Sequence, residues 1–195
     1  MTKEHFSNPE LDFPPATEGF GDPDSSIAQT ALLQAVEVQT ELVADRQRQI
    51  RAKIEIPHTV EQVWQILTNY EALPDFIPNL AKSRLLPHPT GGIRLEQVGT
   101  QKLLRFNFSA RVVLDLEEKF PHEIKFSLVE GDLKDYVGSW QLEPSSSNQQ
   151  STNLQYSVRV WPKRTTPIAL IERRLCSDLR LNLAAISQRA QQLFG

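Results

Sequence analysis

The side chains able to do chemistry are few and poorly placed for it. The 195-residue chain has four histidines and one cysteine. His5 lies in a polar leader, His58 stands just before a helix cap, and His88 and His122 sit beside prolines at strand ends. These positions predict solvated loop residues rather than bases or metal ligands. Cys176 falls beside an apolar helical stripe, where it reads as a small buried hydrophobe. No GxSxG, HExxH, phosphate-loop or dinucleotide-binding glycine pattern occurs. Asp75 and Asn79 are the one polar pair with a case for chemistry, and turn or capping roles suit them as well. General acid–base work needs ionisable groups held inside a cavity, and the alternating segments described below put almost no charge on their inward faces. Binding rather than turnover is therefore expected, with no catalytic residue, no metal and no cofactor.

What those inward faces do carry is wide aromatic surface with a few polar tips: Phe106, Phe108, Phe126, Tyr136, Trp140 and Tyr156. Interleaved aliphatics normally fill a two-layer core, whereas walls of this kind suit a planar or prenylated ligand. The same rings would also fill a solid core. Gly138, between Tyr136 and Trp140, removes a side chain at mid-strand and marks room for a ligand, a close helix or a bulge. In YEALPDFIPNL, Pro74 and Pro78 permit only a short helix or turn, leaving Leu73, Phe76 and Ile77 to close a mouth like a lid. Leu95 on a neighbouring strand and Leu175, Leu179 and Leu183 on the last helix complete the expected lining.

The elements that position these residues follow from periodicity. Residues 1–25 mix Asn, Pro, Gly, Ser and acidic residues and predict a disordered tail, with a turn or two of helix over 26–34. Val36, Val38, Thr40 and Leu42 alternate with polar residues as a strand does, and Ile50, Ala52, Ile54 and Ile56 make a second. Thr59 and Gln62 form a capping box that opens a helix ending near Asn69. From 82 to 163 the period is two: SRLLPH, a turn at Gly91 and Gly92, GIRLEQVG, a turn at Gly99, then a long run from Leu103 to Glu117 with Leu104, Phe106, Phe108, Ala110, Val112, Leu114 and Leu116 on one face. Three more strands follow, around residues 124–128, 136–142 and 154–160, the last two joined by a polar hairpin tip at 145–152. Thr166 as N-cap and Pro167 at the first position start one long helix. Its stripe runs Ile168, Ile171, Leu175, Leu179, Leu183, Ile186, Ala190 and Leu193, with the arginines largely elsewhere, and it spans about 40 Å.

Composition narrows the class. The net charge is −3, with 3 basic and 9 acidic side chains in residues 1–49 and 18 and 15 beyond them. One cysteine excludes a disulfide framework or a thiol-built metal site and points to a reducing cytoplasm. No apolar run reaches membrane-spanning length, and the N-terminus has neither a basic n-region nor a hydrophobic h-region. Arg159, Lys163, Arg164, Arg173, Arg174, Arg180 and Arg189 suggest peripheral contact with anionic headgroups through a basic C-terminal region. Nucleic acid is not expected as a partner, because the chain is acidic overall.

The segment IEIPHTVEQVWQILTNYEALPDFIPNL, the later VEGDLKDYVGSWQLEP and the closing amphipathic helix together resemble the START-like helix-grip (SRPBCC) superfamily, in its polyketide cyclase/dehydrase and coenzyme Q-binding branch. The resemblance covers roughly residues 36–193. It implies an α+β, START/Bet v 1-like fold in which a curved antiparallel sheet of about six or seven strands wraps a long C-terminal helix, with two short helices after the first core strand. Residues 1–34 are then an acidic tail and 35–195 the domain. It also implies a deep pocket that takes a quinone, prenyl lipid or polyketide-like molecule, so a binding or carrier role is expected. The alternatives are an aromatase or cyclase acting on a polyketide-like chain and a protein-interaction module of the ribosome-associating kind. A cyclase of this superfamily carries polar or charged groups in its cavity, where this chain offers tyrosine hydroxyls and Gln97.

Overall fold

The computed structural model describes residues 23–103, 106–146, 148, 150–164 and 168–195. Helix α1 (Pro23–Ala35) leads into strands β1 (Glu37–Ala44) and β2 (Gln47–Ile56), then α2 (Val60–Thr68) and a 3₁₀ turn (Tyr70–Asp75). The meander follows as β3 (Leu80–Leu86), β4 (Ile93–Leu103), β5 (Phe106–Lys119), β6 (Glu123–Gly131), β7 (Leu133–Pro144) and β8 (Thr152–Pro162), before α3 (Ile168–Phe194). All strands join one antiparallel sheet of eight, in the order β1-β2-β8-β7-β6-β5-β4-β3. The fold is the expected α+β helix grip. Its sheet is larger than six or seven strands because β1 extends it past β2 as an edge.

Several boundaries differ from expectation. Of the tail assigned to residues 1–34, residues 1–22 lie outside the described residues, and from Pro23 the chain forms the 13-residue α1, longer than a turn or two. The expected cap at Thr166 and Pro167 also lies outside the described residues. Gly99 is not a turn: β4 runs through it, pairing Gly99 with Ala110, and continues to Leu103. The capping box is present, with Gln62 N–H donating to Thr59 Oγ1 at 3.4 Å and Thr59 N–H to Gln62 Oε1 at 2.9 Å. It satisfies two amides that the first helical turn leaves without partners.

The core lies between the sheet and α3. Ile50, Ile56, Leu142, Leu154, Val158 and Val160 are sealed from solvent together with Leu183 of α3 and Val63 of α2, each contributing about 1.5–3 kcal/mol by leaving water. The helix makes its close approach to β1, β2, α1 and α2, and Arg48 of β2 pins its first turns through Glu172 at 2.8 Å. Over β4, β5 and β6 it stands away from the sheet.

Candidate functional site

The space left under the helix is a cavity of about 290 Å³. Alternation builds its wall strand by strand: Leu95 and Gln97 on β4, Ala110, Val112, Leu114 and Leu116 on β5, Ile124 and Phe126 on β6, Leu133, Tyr136 and Trp140 on β7, and Tyr156 and Val160 on β8. Leu67, Tyr70, Leu73 and Ile77 come from α2 and the segment after it, and α3 supplies Ile171, Arg174, Leu175, Asp178, Leu179, Asn182 and Ile186. Lining residues grade from buried at Leu67, Leu116, Ile124 and Ile186 to exposed at Pro78, Asn79 and Thr100. The mouth is therefore where β3 begins and β4 nears its end.

The floor is a nest of rings. Tyr156 stacks on Phe126 at 5.6 Å and 18° and meets Trp140 at 4.4 Å, while Phe126 lies 5.4 Å from Tyr136. The Tyr136 and Tyr156 hydroxyls are 2.7 Å apart. Burial pushes both phenols above their ordinary range, with the Asp178 charge adding to the effect at Tyr136 and the Tyr136 hydroxyl adding to it at Tyr156. Both stay protonated at neutral pH, so one O–H proton serves their mutual bond and the second is left for another acceptor. Gly138 makes this packing possible: a Cβ there would collide with the Ser157 carbonyl oxygen and come within 2.6 Å of Phe126 Cζ. The neighbour it admits is a ring of the protein itself. Strand pairing runs through it without a bulge.

A polar cluster stands at the mouth. Asn79, at φ 62, accepts a hydrogen bond from Thr100 N–H through its carbonyl at 2.8 Å and donates its amide to Asp178 Oδ1 at 3.3 Å. It thus ties the start of β3 to both β4 and α3. Arg174 Nε lies 4.0 Å from Asp178, and both side chains are largely buried. The expectation of uncharged inward faces is overturned here. Among the described residues the sheet positions that line the cavity are uncharged, and the ion pair comes from α3, one position to the side of its apolar stripe.

Of the predicted lining residues, Leu73, Ile77, Leu95, Phe126, Tyr136, Trp140, Tyr156, Leu175 and Leu179 border the cavity. Phe76 does not: it is half-buried, its ring under the Arg189 guanidinium at 5.6 Å. Leu183 is fully buried in the packed core and also lies off the cavity. The side chains of Phe106 and Phe108 lie outside the described residues. Asp75 is exposed and off the cavity, so the Asp75 and Asn79 pair is not a site. Asn79, singled out in the sequence, does border the cavity, whereas Tyr70, Arg174, Asp178 and Asn182 were missed by sequence reasoning.

The histidines are less solvated than expected. His58 is buried beside Phe194, at a ring distance of 6.1 Å, and its carbonyl accepts from Thr152 Oγ1 at 2.7 Å. His88 organises the β3–β4 turn: its Nδ1 accepts from Thr90 and Gly92 N–H at 3.2 and 2.9 Å and its Nε2 lies 3.4 Å from Asp115. His122 is exposed, with Nδ1 3.0 Å from the Leu142 carbonyl. His5 lies outside the described residues. Cys176 is half-buried, its sulfur 3.2 Å from Thr40 Oγ1. The basic C-terminal residues do not form one patch either. Arg159 faces Asp135, Arg174 turns inward, Arg180 donates to the Val36 carbonyl and Arg189 covers Phe76.

Residues 56–187 match the family model described as polyketide cyclase / dehydrase and lipid transport. The chain belongs to this family. Two Escherichia coli proteins are similar over 145 residues, spanning 72% of this chain and 85% of theirs: the persistence and stress-resistance toxin PasT at 27% identity and the ribosome association toxin RatA at 24%. A STAR-related lipid transfer protein fragment from Xanthomonas axonopodis superposes with a TM-score of 0.65 at 14% identity, covering 82% of this chain and 95% of that one. That likeness is one of fold: the START-like helix grip. Among the described residues, no helix of this family member is long and apolar enough to cross a membrane.

Proposed function

We propose that the chain is a carrier that holds a compact, oxygen-bearing hydrophobic molecule, of the quinone, prenyl-lipid or polyketide-like class, in the cavity under α3. The observation that carries this reading is the buried tyrosine pair in an otherwise apolar wall, which offers one O–H to a ligand carbonyl or hydroxyl. Ligand sites typically run from about 300 to 1,000 Å³, and this cavity stands at the small end. One or two rings or a short chain fill it, and a longer tail leaves through the mouth. About 250 Å² of apolar ligand surface removed from water supplies roughly 6 kcal/mol before the cost of association. A reducing cytoplasmic setting suits a chain with a single cysteine.

The test is native mass spectrometry of the purified chain before and after organic extraction, followed by titration with a matched pair, 2,3-dimethyl-1,4-naphthoquinone and 2,3-dimethylnaphthalene. The quinone is expected to bind more tightly by about three- to tenfold, the worth of one hydrogen bond, with the difference lost in Tyr136→Phe combined with Tyr156→Phe. Binding of neither probe, with no co-purified lipophile, removes the carrier reading. Equal binding of both removes the tyrosine anchor alone.

A second reading, an aromatase- or cyclase-type enzyme, is favoured by Arg174 and Asp178 bordering the cavity. It predicts turnover of a polyketide-like chain that falls at least tenfold in Asp178→Asn with binding retained.

A further inference from the structure

We propose that the end of the sheet around the cavity mouth docks on an anionic lipid bilayer, with Leu42 and Val43 of the β1–β2 hairpin inserted among the headgroups. This rests on the carrier reading for its choice of a bilayer as partner, and vesicle binding can fail while uptake of the naphthoquinone holds.

Strand register places the hairpin. Leu42 is opposite Arg48, Arg48 opposite Val160, and Val160 opposite Tyr136. The last two line the cavity. One row across the sheet therefore joins the hairpin to the chamber, and β1 ends, β2 begins, β6 ends, β7 begins and β8 ends on the same side of that row. Because β4 pairs antiparallel to β5 and β5 to β6, the mouth residue Thr100 lies at this end as well. Contacts bind these connections together. Arg46 Nη2 donates to the Lys163 carbonyl at 3.0 Å, Lys163 Nζ donates to the Gly131 carbonyl at 3.0 Å, and Lys134 Nζ sits 4.9 Å over the Trp161 ring.

The turn of the hairpin is polar, Asp45 and Arg46, as such turns ordinarily are, but the strand end beside it is apolar and exposed. Leu42 is 66% exposed and Val43 49%. The register shifts between Leu42 and Ala44, so Val43 is passed over by the ladder and bulges. Neither side chain serves the core. The connections at this end of the sheet carry Arg46, Lys134, Lys163 and Arg164, against Glu41, Asp45 and Asp132. Two exposed aliphatics at an end that carries these cations complement a negatively charged bilayer, in which apolar groups enter the interface and each nearby Lys or Arg strengthens binding about fivefold. A protein partner would leave the rest of this rim, the open mouth itself, without a function. A bilayer explains both, since a lipophilic guest would pass between membrane and chamber without crossing water.

Co-sedimentation of the full chain with vesicles tests the proposal, using phosphatidylcholine alone or with about 30 mol% phosphatidylserine. Binding is expected to the anionic vesicles, weakened at least tenfold between about 0.1 and 0.5 M salt. It is expected to fall at least tenfold in the double variant Leu42→Glu, Val43→Glu, and by about 25-fold or more in Lys163→Glu, Arg164→Glu. All four side chains are exposed, so thermal melts of both variants should overlay the parent's. No binding to anionic vesicles overturns the proposal, as does binding that ignores both double substitutions. Binding that responds to salt and charge reversal while ignoring the Leu42 and Val43 change overturns the insertion.

Discussion

Where α3 crosses β1 and β2 it meets fully buried aliphatics, Ile50, Ile54 and Ile56, with Leu154 and Val158 of the adjoining β8. On the other side it faces a chamber walled by β4 to β8 and floored by Phe126, Tyr136, Trp140 and Tyr156. Both halves are hydrophobic, so hydrophobicity does not decide which one closes. Side-chain shape differs between β2 and the aromatic strands β6 to β8. Branched aliphatics on β2 stand up from the sheet and interlock with the helix, as close packing requires. Rings that stack on one another satisfy their apolar surface within the sheet and leave the helix nothing to interlock with.

The largest expected difference between the halves is in truncation. Leu154→Ala opens a void in a sealed core and should cost about 3–5 kcal/mol in urea unfolding, whereas Leu114→Ala enlarges an existing space whose lining already lacks partners on one side and should cost about 1–2 kcal/mol. Equal losses would mean that the chamber is as well packed as the core.

Additions should reverse the ranking. Ala52→Leu overfills the closed half and is expected to destabilise by about 1–3 kcal/mol. Ala110→Leu, pointing into the chamber, should stay within about 0.5 kcal/mol of the parent or gain slightly while abolishing uptake of the naphthoquinone probe. A stability loss in Ala110→Leu matching that of Ala52→Leu would erase the distinction.

The smallest effect lies on the outer surface of the hollow half. There Glu96 is buried among Lys82, Arg84 and Arg111 at 2.7 Å each, and hydrogen bonds from Lys82 and then Arg111 lower its pKa from 4.5 to about 2. A depressed folded-state pKa contributes stability that is fully present above 4.5 and is lost as the pH falls toward 2. Hydrogen exchange across this window should show β3, β4 and β5 loosening before β2 and β8, and Glu96→Gln should flatten the acid response of those strands. Simultaneous loosening of both halves would show that the network serves the whole sheet.

Much of this was legible in the sequence. The Ala110-to-Leu116 alternation, the capping box at Thr59 and Pro74 in the 3₁₀ segment lie where the local pattern puts them, because strand period and capping are local, and Phe126, Tyr136, Trp140 and Tyr156 border the cavity. The misses share a physical cause. Gly99 suggested a turn, yet pairing with Ala110 outweighed its local preference. Arg174, Asp178 and Asn182 are four apart and share a helix surface one position to the side of Leu175, Leu179 and Leu183; an apolar stripe reports the side that is packed, whereas a wall facing a chamber tolerates polar side chains. The position of α3 over the sheet, which decides which residues see the void, depends on contacts far apart in the chain.

Gly138 gives this arrangement an unexpected point of control. It borders no part of the chamber, yet its bare α-carbon lets Phe126 lean across β7 and lie flat on Tyr156. A single methyl there would run into both the Ser157 carbonyl oxygen of β8 and the Phe126 ring. The shape of the floor and the seam between β7 and β8 thus hang on the same missing side chain, at a position outside the chamber.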